Sequence, residues 1–216
     1  MSLTQQLAEL KAQNRAKQPQ DVKAVMAADL EKLAKSGLIE GAPQKGDYLT
    51  DFTLKNQNGE PRTLAQLRKN GPVVIIFYRG GWCPYCNMEL HAYQQALPAI
   101  KAAGATLVAI TPELPDASLS TAEKHGLAFE VLTDTNSDYA RKIGIVFTLS
   151  QELRPIYKSF GIDIEKHNGQ DQYDLPLAAT FVVDTDGKIV SAFVTADYTQ
   201  RADPDDIIKV LASLKH

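Results

Sequence analysis

The amino-acid sequence predicts an α/β fold in which helices cover both faces of a mixed β-sheet. A short, entirely apolar run at residues 73–77 is typical of a buried central strand. A second apolar run follows at residues 105–110 after an amphipathic stretch, and such strand–helix–strand units place two strands in parallel. Near the end, residues 180–194 have the pattern of an antiparallel hairpin, and a helical segment follows. Parallel and antiparallel pairs in one sheet make the predicted sheet mixed.

Length and composition limit the possible classes of protein. The 216 residues suffice for one substantial core, and 44% hydrophobic with 23% charged residues is ordinary for a globular domain. A net charge of −3 and a pI near 5.8 leave no basic stripe to meet phosphates, so we expect no nucleic-acid partner. No apolar run approaches the length of a membrane span, so we expect no membrane association. The first residues show no signal-peptide pattern, and with only two cysteines we expect a cytoplasmic protein.

Residues 1–45 are predicted to form a helical extension in front of the main domain, residues 46–216. An apolar series with helical spacing begins at Leu3, and a second one covers residues 22–33, shortly after Pro19. We expect these helices to lie on the surface of their own domain. The alternatives are an arm that supports a possible homodimer and a cover over the active site.

The first half of the main domain is predicted from alternating apolar patterns and turn residues. Asn58-Gly59 is a hairpin signal between two short segments. In chain order, the predicted elements are a strand at 51–54, that turn, a helical turn at 64–68, the buried strand at 73–77, a helix at 86–103 and a strand at 105–110.

The second half continues in the same alternating way. The predicted elements are a helix at 116–125, a strand at 129–132, a helix at 138–143, a helix at 149–160 that contains Pro155, a polar loop at 161–177, the hairpin, and a last helix from 204 to about 214. Gly126 and Gly144 are expected to end two of these helices. Asp203 is the predicted N-cap of the last helix, with Pro204 at its first position.

The only two cysteines, Cys83 and Cys86, lie where the central strand passes into the first turn of the next helix. Unpaired amide N–H groups and the helix dipole favour an anion there, which lowers the pKa of a thiol. A second thiol three residues away can close on the first as a disulfide, so we predict a redox site on a thioredoxin fold. A zinc site needs four ligands and only His91 lies nearby, so we expect no metal and no cofactor. The remaining alternative is a buried, inert pair.

Around these cysteines the sequence resembles the peroxiredoxins, the alkyl hydroperoxide reductase/thiol-specific antioxidant (AhpC/TSA) family. That family carries Phe-Tyr-Pro-x-x-x-Thr-x-x-Cys-x-x-Glu at this junction. Four positions match the pattern without gaps: Phe77, Tyr78, Cys86 and Glu89. Residues 51–54 and 180–187 are also similar, and the resemblance covers roughly residues 46–214.

The departures from the family pattern define a subgroup. Arg79 stands in place of the family's proline, Cys83 in place of its threonine, and the family's catalytic arginine falls on Ala178. The second cysteine gives the sequence Trp-Cys-Pro-Tyr-Cys, which is similar to thioredoxin and glutaredoxin sites. The chain thus resembles a peroxiredoxin-like subgroup with a thioredoxin-type Cys-x-x-Cys site. Ala179 stands where thioredoxins place a cis-proline, which argues against thioredoxin proper.

The resemblance implies an antioxidant enzyme that reduces hydroperoxides through a dithiol/disulfide cycle. Cys86 would attack the peroxide, Cys83 would resolve the sulfenic acid, and a thioredoxin- or glutathione-type thiol donor would restore both thiols. In the thioredoxin register, Cys83 is instead the nucleophile. The alternatives are a protein disulfide oxidoreductase without peroxidase activity and a redox-switched binding protein.

Four further residues are candidates for supporting roles. Arg79 is expected either to hold the thiolate or to be a surface arginine at a strand end, and Arg201 lies in a loop that should return to the active-site edge. Trp82 is expected to shield the disulfide or simply to pack, and Glu89 to pair with an arginine in the site or to be a solvated carboxylate.

Overall fold

The architecture comes from a computed structural model that describes residues 1–214. The strands are β1 (Thr53–Asn56), β2 (Pro61–Thr63), β3 (Val73–Phe77), β4 (Thr106–Thr111), β5 (Glu130–Thr133), β6 (Val146–Thr148), β7 (Asp174–Pro176), β8 (Ala178–Val183) and β9 (Ile189–Thr195). The helices are α1 (Leu3–Lys17), α2 (Gln20–Ala34), α3 (Leu38–Gly41), α4 (Leu64–Leu67), α5 (Pro84–Ala102), α6 (Pro115–Lys124), α7 (Asp138–Lys142), α8 (Leu153–Ser159), α9 (Ile164–Asn168) and α10 (Pro204–Ser213).

Within the described residues, seven strands form one mixed sheet in the order β2-β1-β5-β4-β3-β8-β9. The central strand β3 runs parallel to β4 and antiparallel to β8, with Phe77 opposite Ile110 on one side and Ala179 on the other. Because side chains alternate along β3, Val74 and Ile76 enter the core beneath α5. The intervening residues enter a second core on the opposite face. The predicted α/β fold, with helices on both faces of a mixed sheet, is confirmed.

Helix α5 follows directly from β3 and carries the two cysteines. It begins at Pro84, two residues before the predicted start at residue 86, because proline's fixed φ angle and missing N–H suit the first helical position. Its buried face includes Cys86, Leu90 and Tyr93. The spacing of these residues turns the first helical turn, with Cys86, toward the interior.

The predicted polar loop at residues 161–177 was wrong. It contains helix α9 and strand β7, and β7 pairs with β6 in a separate two-stranded sheet. A satellite core holds this region together: Leu149, Leu153, Tyr157, Ile164 and Leu175. Its apolar residues are too widely spaced along the polar segment to produce a periodic signal.

Two other elements begin two or more residues after their predicted start. The helix predicted from residue 149 begins only at Leu153, because the amide of Leu149 donates to the carbonyl of Tyr173 instead of entering a helix. The strand predicted at 51–54 begins at Thr53, since the Asp51 carboxylate accepts hydrogen bonds from the amides of Phe52 and Ala65.

The N-terminal helices pack on the main body. Leu3 and Leu7 of α1 are buried in the core beneath α5, and Lys11 forms an ion pair of 2.7 Å with Asp197. Helix α2 contacts α8. None of the described helices is both long and apolar enough to cross a membrane. The division into residues 1–45 and 46–216 stays a prediction, and its last two residues, Lys215 and His216, lie outside the described residues.

Candidate active site

Cys83 is the N-cap of α5 and Cys86 lies in its first turn. The thiols are free, fully buried and hydrogen-bonded to one another. The first turn of α5 therefore brings together the two sulfurs that the sequence predicts to form the redox pair, at the helix end where backbone N–H groups favour negative charge.

Arg79 holds the first sulfur. Its Nη2 donates to Cys83 Sγ at 3.3 Å, and its Nη1 donates to the hydroxyl of Tyr157 at 2.9 Å. The guanidinium carbon lies 3.9 Å from the centre of the Tyr198 ring and 4.9 Å from that of the Trp82 ring. Only 3% of Arg79 is exposed, and within residues 1–214 no carboxylate pairs with it. The structure thus places Arg79 inside the site rather than on the surface.

Arg201 holds the second sulfur. Its Nη2 donates to Cys86 Sγ at 3.2 Å and its Nε donates to Glu89 at 2.7 Å. Two carbonyls of its own loop, those of Tyr198 and Gln200, accept from Nη1. This loop follows β9, as the sequence predicts, so Arg201 provides the cation that Ala178 cannot. Each sulfur is therefore paired with its own arginine.

The pKa values of the two thiols are displaced in opposite directions. Burial opposes ionisation of Cys83, but the hydrogen bond from Cys86 and the charges of Arg79 and Arg201 together bring the pKa of Cys83 well below its ordinary value. Burial, the hydrogen bond to Cys83 and its charge raise the pKa of Cys86, although the same arginines oppose this. These opposite shifts favour ionisation of Cys83 over that of Cys86.

Glu89 is fully buried beside this charge. Burial raises its pKa to about 7, although its ion pair with Arg201 acts in the opposite direction. Of the two expected roles, the structure shows pairing with an arginine and not a solvated helix carboxylate.

Sequence reasoning missed several groups that position the site. Tyr157 and Tyr198 hold Arg79, and the Glu113 carboxylate accepts from the Gly81 amide at 2.9 Å and contacts His167 Nδ1 at 3.0 Å. Glu113 thereby fixes the loop before Cys83. These residues lie far from the cysteines in sequence and carry no motif, so only the fold reveals them.

Trp82 lies at the edge of the site, half-buried. Its ring stacks edge-on against Tyr157 with centroids 5.9 Å apart, and its indole N–H has no hydrogen-bond partner within the described part of the chain. Contacts with Tyr157, with the Arg79 guanidinium and with neighbouring apolar side chains hold this ring, which agrees with both expected roles, shielding and packing.

Comparison with known proteins agrees with this geometry. Residues 45–192 match the sequence profile of the AhpC/TSA family. The chain is 25% identical over 170 residues to a putative peroxiredoxin of Mycobacterium tuberculosis, covering 79% of this chain and 97% of that protein. It is 28% identical over 171 residues to the chloroplastic peroxiredoxin Q of Sedum lineare, covering 79% of each.

Among solved structures, the crystal structure of peroxidoxin BcpB from Mycobacterium tuberculosis has the same fold. The TM-score is 0.63 at 23% sequence identity, and the match covers 80% of this chain and 99% of that one. The family profile spans the central strand, the cysteine helix and the hairpin that faces them. The chain therefore belongs to the AhpC/TSA family of peroxiredoxin-like thiol-dependent oxidoreductases.

Proposed function

We propose that this protein reduces hydroperoxides by cycling Cys83 and Cys86 between dithiol and disulfide, with Cys83 as the attacking thiolate. One observation carries the proposal: two hydrogen-bonded thiols lie at the N-terminus of a helix in an AhpC/TSA body, each within 3.3 Å of an arginine. This order of the cysteines is the opposite of the one that the family resemblance implies.

The chemistry needs a thiolate and donors for the departing oxygen. The Cys83 thiolate attacks the terminal peroxide oxygen, the O–O bond breaks, and the alkoxide leaves as an alcohol after it takes up a proton. Cys83 is then a sulfenic acid. Arg79 contacts this sulfur and the Tyr157 hydroxyl contacts Arg79, so these two groups are the candidates to donate to the departing oxygen.

The proton-bearing Cys86 completes the cycle. Its sulfur attacks the sulfenic sulfur, an S–S bond forms, and water leaves. Two thiols of a thioredoxin-type donor then reduce the disulfide by exchange and become a disulfide themselves. A glutathione-type donor is the alternative. Such a cycle requires a reducing compartment, so we also propose a cytoplasmic location; a homodimer and the absence of nucleic-acid and membrane partners stay predictions.

Two serine variants test the order of the cysteines. In Cys86→Ser the hydroxyl keeps a hydrogen-bond donor beside Cys83, so we expect rapid oxidation by peroxide that stops at the sulfenic acid. In Cys83→Ser we expect oxidation no faster than that of free cysteine. Stopped-flow loss of thiol, with a sulfenic-acid probe, measures both.

The opposite pattern, with rapid oxidation surviving only in Cys83→Ser, would assign the attack to Cys86. If the wild-type enzyme reacts with no peroxide faster than free cysteine but reduces insulin disulfides, the peroxidase proposal fails in favour of a disulfide reductase. Inactivity in both assays would leave a redox-switched binding protein.

A further inference from the structure

A cavity of about 420 Å³ lies on the Cys83 side of the active site. Arg79 and Trp82 form part of its wall, so it borders directly on the groups that hold the sulfur. Its size falls within the range of pockets that enclose small organic ligands, and it is far larger than hydrogen peroxide needs.

The wall of this cavity is mainly aromatic and apolar. Its apolar members come from four separate segments: Met26, Trp82, Tyr85, Tyr157, Ile162 and Tyr198. Phe160 also lines it and is 42% exposed. Binding of an apolar ligand to such a wall is favourable, because apolar surface of both the ligand and the wall is removed from water.

The N-terminal helices close one side of this cavity. Met26 belongs to α2, and Asn14 of α1 donates to the Tyr85 hydroxyl at 3.2 Å. Both helices precede residue 45, where the match to the family profile begins. The cavity therefore depends on a segment outside the part of the chain that matches the family.

We propose that the two N-terminal helices make this cavity a binding site for the apolar body of an organic hydroperoxide, with Met26 as a specificity-determining residue. This rests on the proposed function, because the peroxy group of the bound substrate would point to Arg79 and Cys83. Cys83 is fully buried, so a side chain of this wall has to move before the peroxy group can reach its sulfur. We assign this movement to Trp82, which lines the cavity and whose indole N–H has no hydrogen-bond partner within the described residues.

The chemistry at the sulfur is unchanged by this assignment. The Cys83 thiolate takes the terminal oxygen of the peroxy group. The rest of the substrate becomes the corresponding alcohol, and the apolar body of this alcohol still lies in the cavity when the O–O bond breaks. Selectivity arises because only a substrate with an apolar body contacts α2, whereas hydrogen peroxide has nothing to place there.

A filled cavity tests the proposal. Met26→Trp places a large ring in the cavity, and Ala28→Trp adds the same ring at an exposed position of the same helix as the matched control. We expect Met26→Trp to slow oxidation by cumene hydroperoxide roughly tenfold or more, while the rate with hydrogen peroxide changes by less than about twofold. Ala28→Trp should leave both rates unchanged.

A second measurement does not depend on the folding of a variant. Trp82 is the only tryptophan of the wild-type chain and lines the cavity, so its fluorescence reports occupancy. We expect 2-phenyl-2-propanol, the alcohol formed from cumene hydroperoxide, to change this fluorescence saturably, and 2-propanol to leave it unchanged.

An equal fall of both rates in Met26→Trp, an unchanged ratio of rates, or no saturable fluorescence change would overturn the binding site while the enzyme remains a peroxidase. A wild-type protein that reacts with neither peroxide faster than free cysteine would instead overturn the proposed function itself.

Discussion

At the scale of single residues, the decisive feature is a buried arginine that, within residues 1–214, contacts a sulfur and no carboxylate. Arg79 touches Cys83, a tyrosine hydroxyl and aromatic rings, and within the described chain it meets no carboxylate. Arg201, by contrast, pairs with Glu89 as well as with Cys86. The charge of Arg79 is therefore available to stabilise the thiolate.

We expect Arg79→Met to raise the pKa of Cys83, because the substitution removes a neighbouring cation. A higher pKa leaves less thiolate at neutral pH, so alkylation by iodoacetamide should slow there and its pH profile should move to higher pH. Arg79→Lys keeps the positive charge, so the pKa of Cys83 in this variant should lie between its values in the wild type and in Arg79→Met. A pH profile that is the same in wild type and Arg79→Met would show that Arg79 does not stabilise the thiolate.

At the scale of elements, the site rests on two structures of different kinds. The β3–α5 junction is continuous in sequence and brings both cysteines. The satellite layer of α8, α9, β6 and β7 supplies Tyr157 from the helix predicted at residues 149–160 and His167 from the segment predicted as a polar loop. The two-stranded sheet of β6 and β7 matters because Leu175 of β7 packs in one core with α8, the helix that carries Tyr157, and Tyr157 accepts a hydrogen bond from Arg79.

We expect Leu175→Ala in β7 to reduce the free energy of unfolding by about 2–5 kcal/mol, the usual cost of a large-to-small change at a fully buried position. Because Leu175 supports Tyr157 in the satellite core, peroxide oxidation should also slow at temperatures where the variant is fully folded. Denaturant unfolding and stopped-flow kinetics measure the two effects. Leu54→Ala in β1 is the control, because Leu54 is half-buried at the far side of the sheet. If Leu175→Ala keeps full activity, the satellite layer does not contribute to the arrangement of the active site.

At the scale of the whole molecule, oxidation changes the charge balance of the interior. When the S–S bond forms, two electrons leave, and the thiolate charge beside Arg79 disappears. A buried cation without a partner is costly. A disulfide between residues three apart closes a very short loop and restrains the unfolded chain little, so it offsets this cost only weakly.

We therefore expect the oxidised protein to melt at a lower temperature than the reduced protein. The difference in melting temperature between the reduced and oxidised forms should be smaller in Arg79→Met, because this variant has no cation at residue 79 that oxidation could leave unpaired. Calorimetry of both redox forms of both proteins makes the comparison. An oxidised wild type that is as stable as the reduced form would mean that Arg79 finds another partner or moves to solvent at no cost.

Local sequence determined the β3–α5 junction, the cysteine pair, the terminal hairpin and the peroxiredoxin-like identification. Each of these depends on residues that are neighbours in the chain: an apolar run, a proline after an N-cap cysteine, a turn between two strands. Short-range sterics and hydrogen bonding are sufficient for such features. The same information named Arg79, Arg201 and Glu89 as candidates, but left each between the site and the surface.

Only the tertiary structure decided what those candidates do. Arg201 lies 115 positions from Cys86 and Tyr157 lies 78 from Arg79, so no local pattern could pair them. The pKa of each thiol depends on burial and on charges that folding brings from distant segments, and the cavity beside Cys83 needs helices from the far end of the chain. Electrostatic interaction depends on distance in space, and only the folded chain sets that distance.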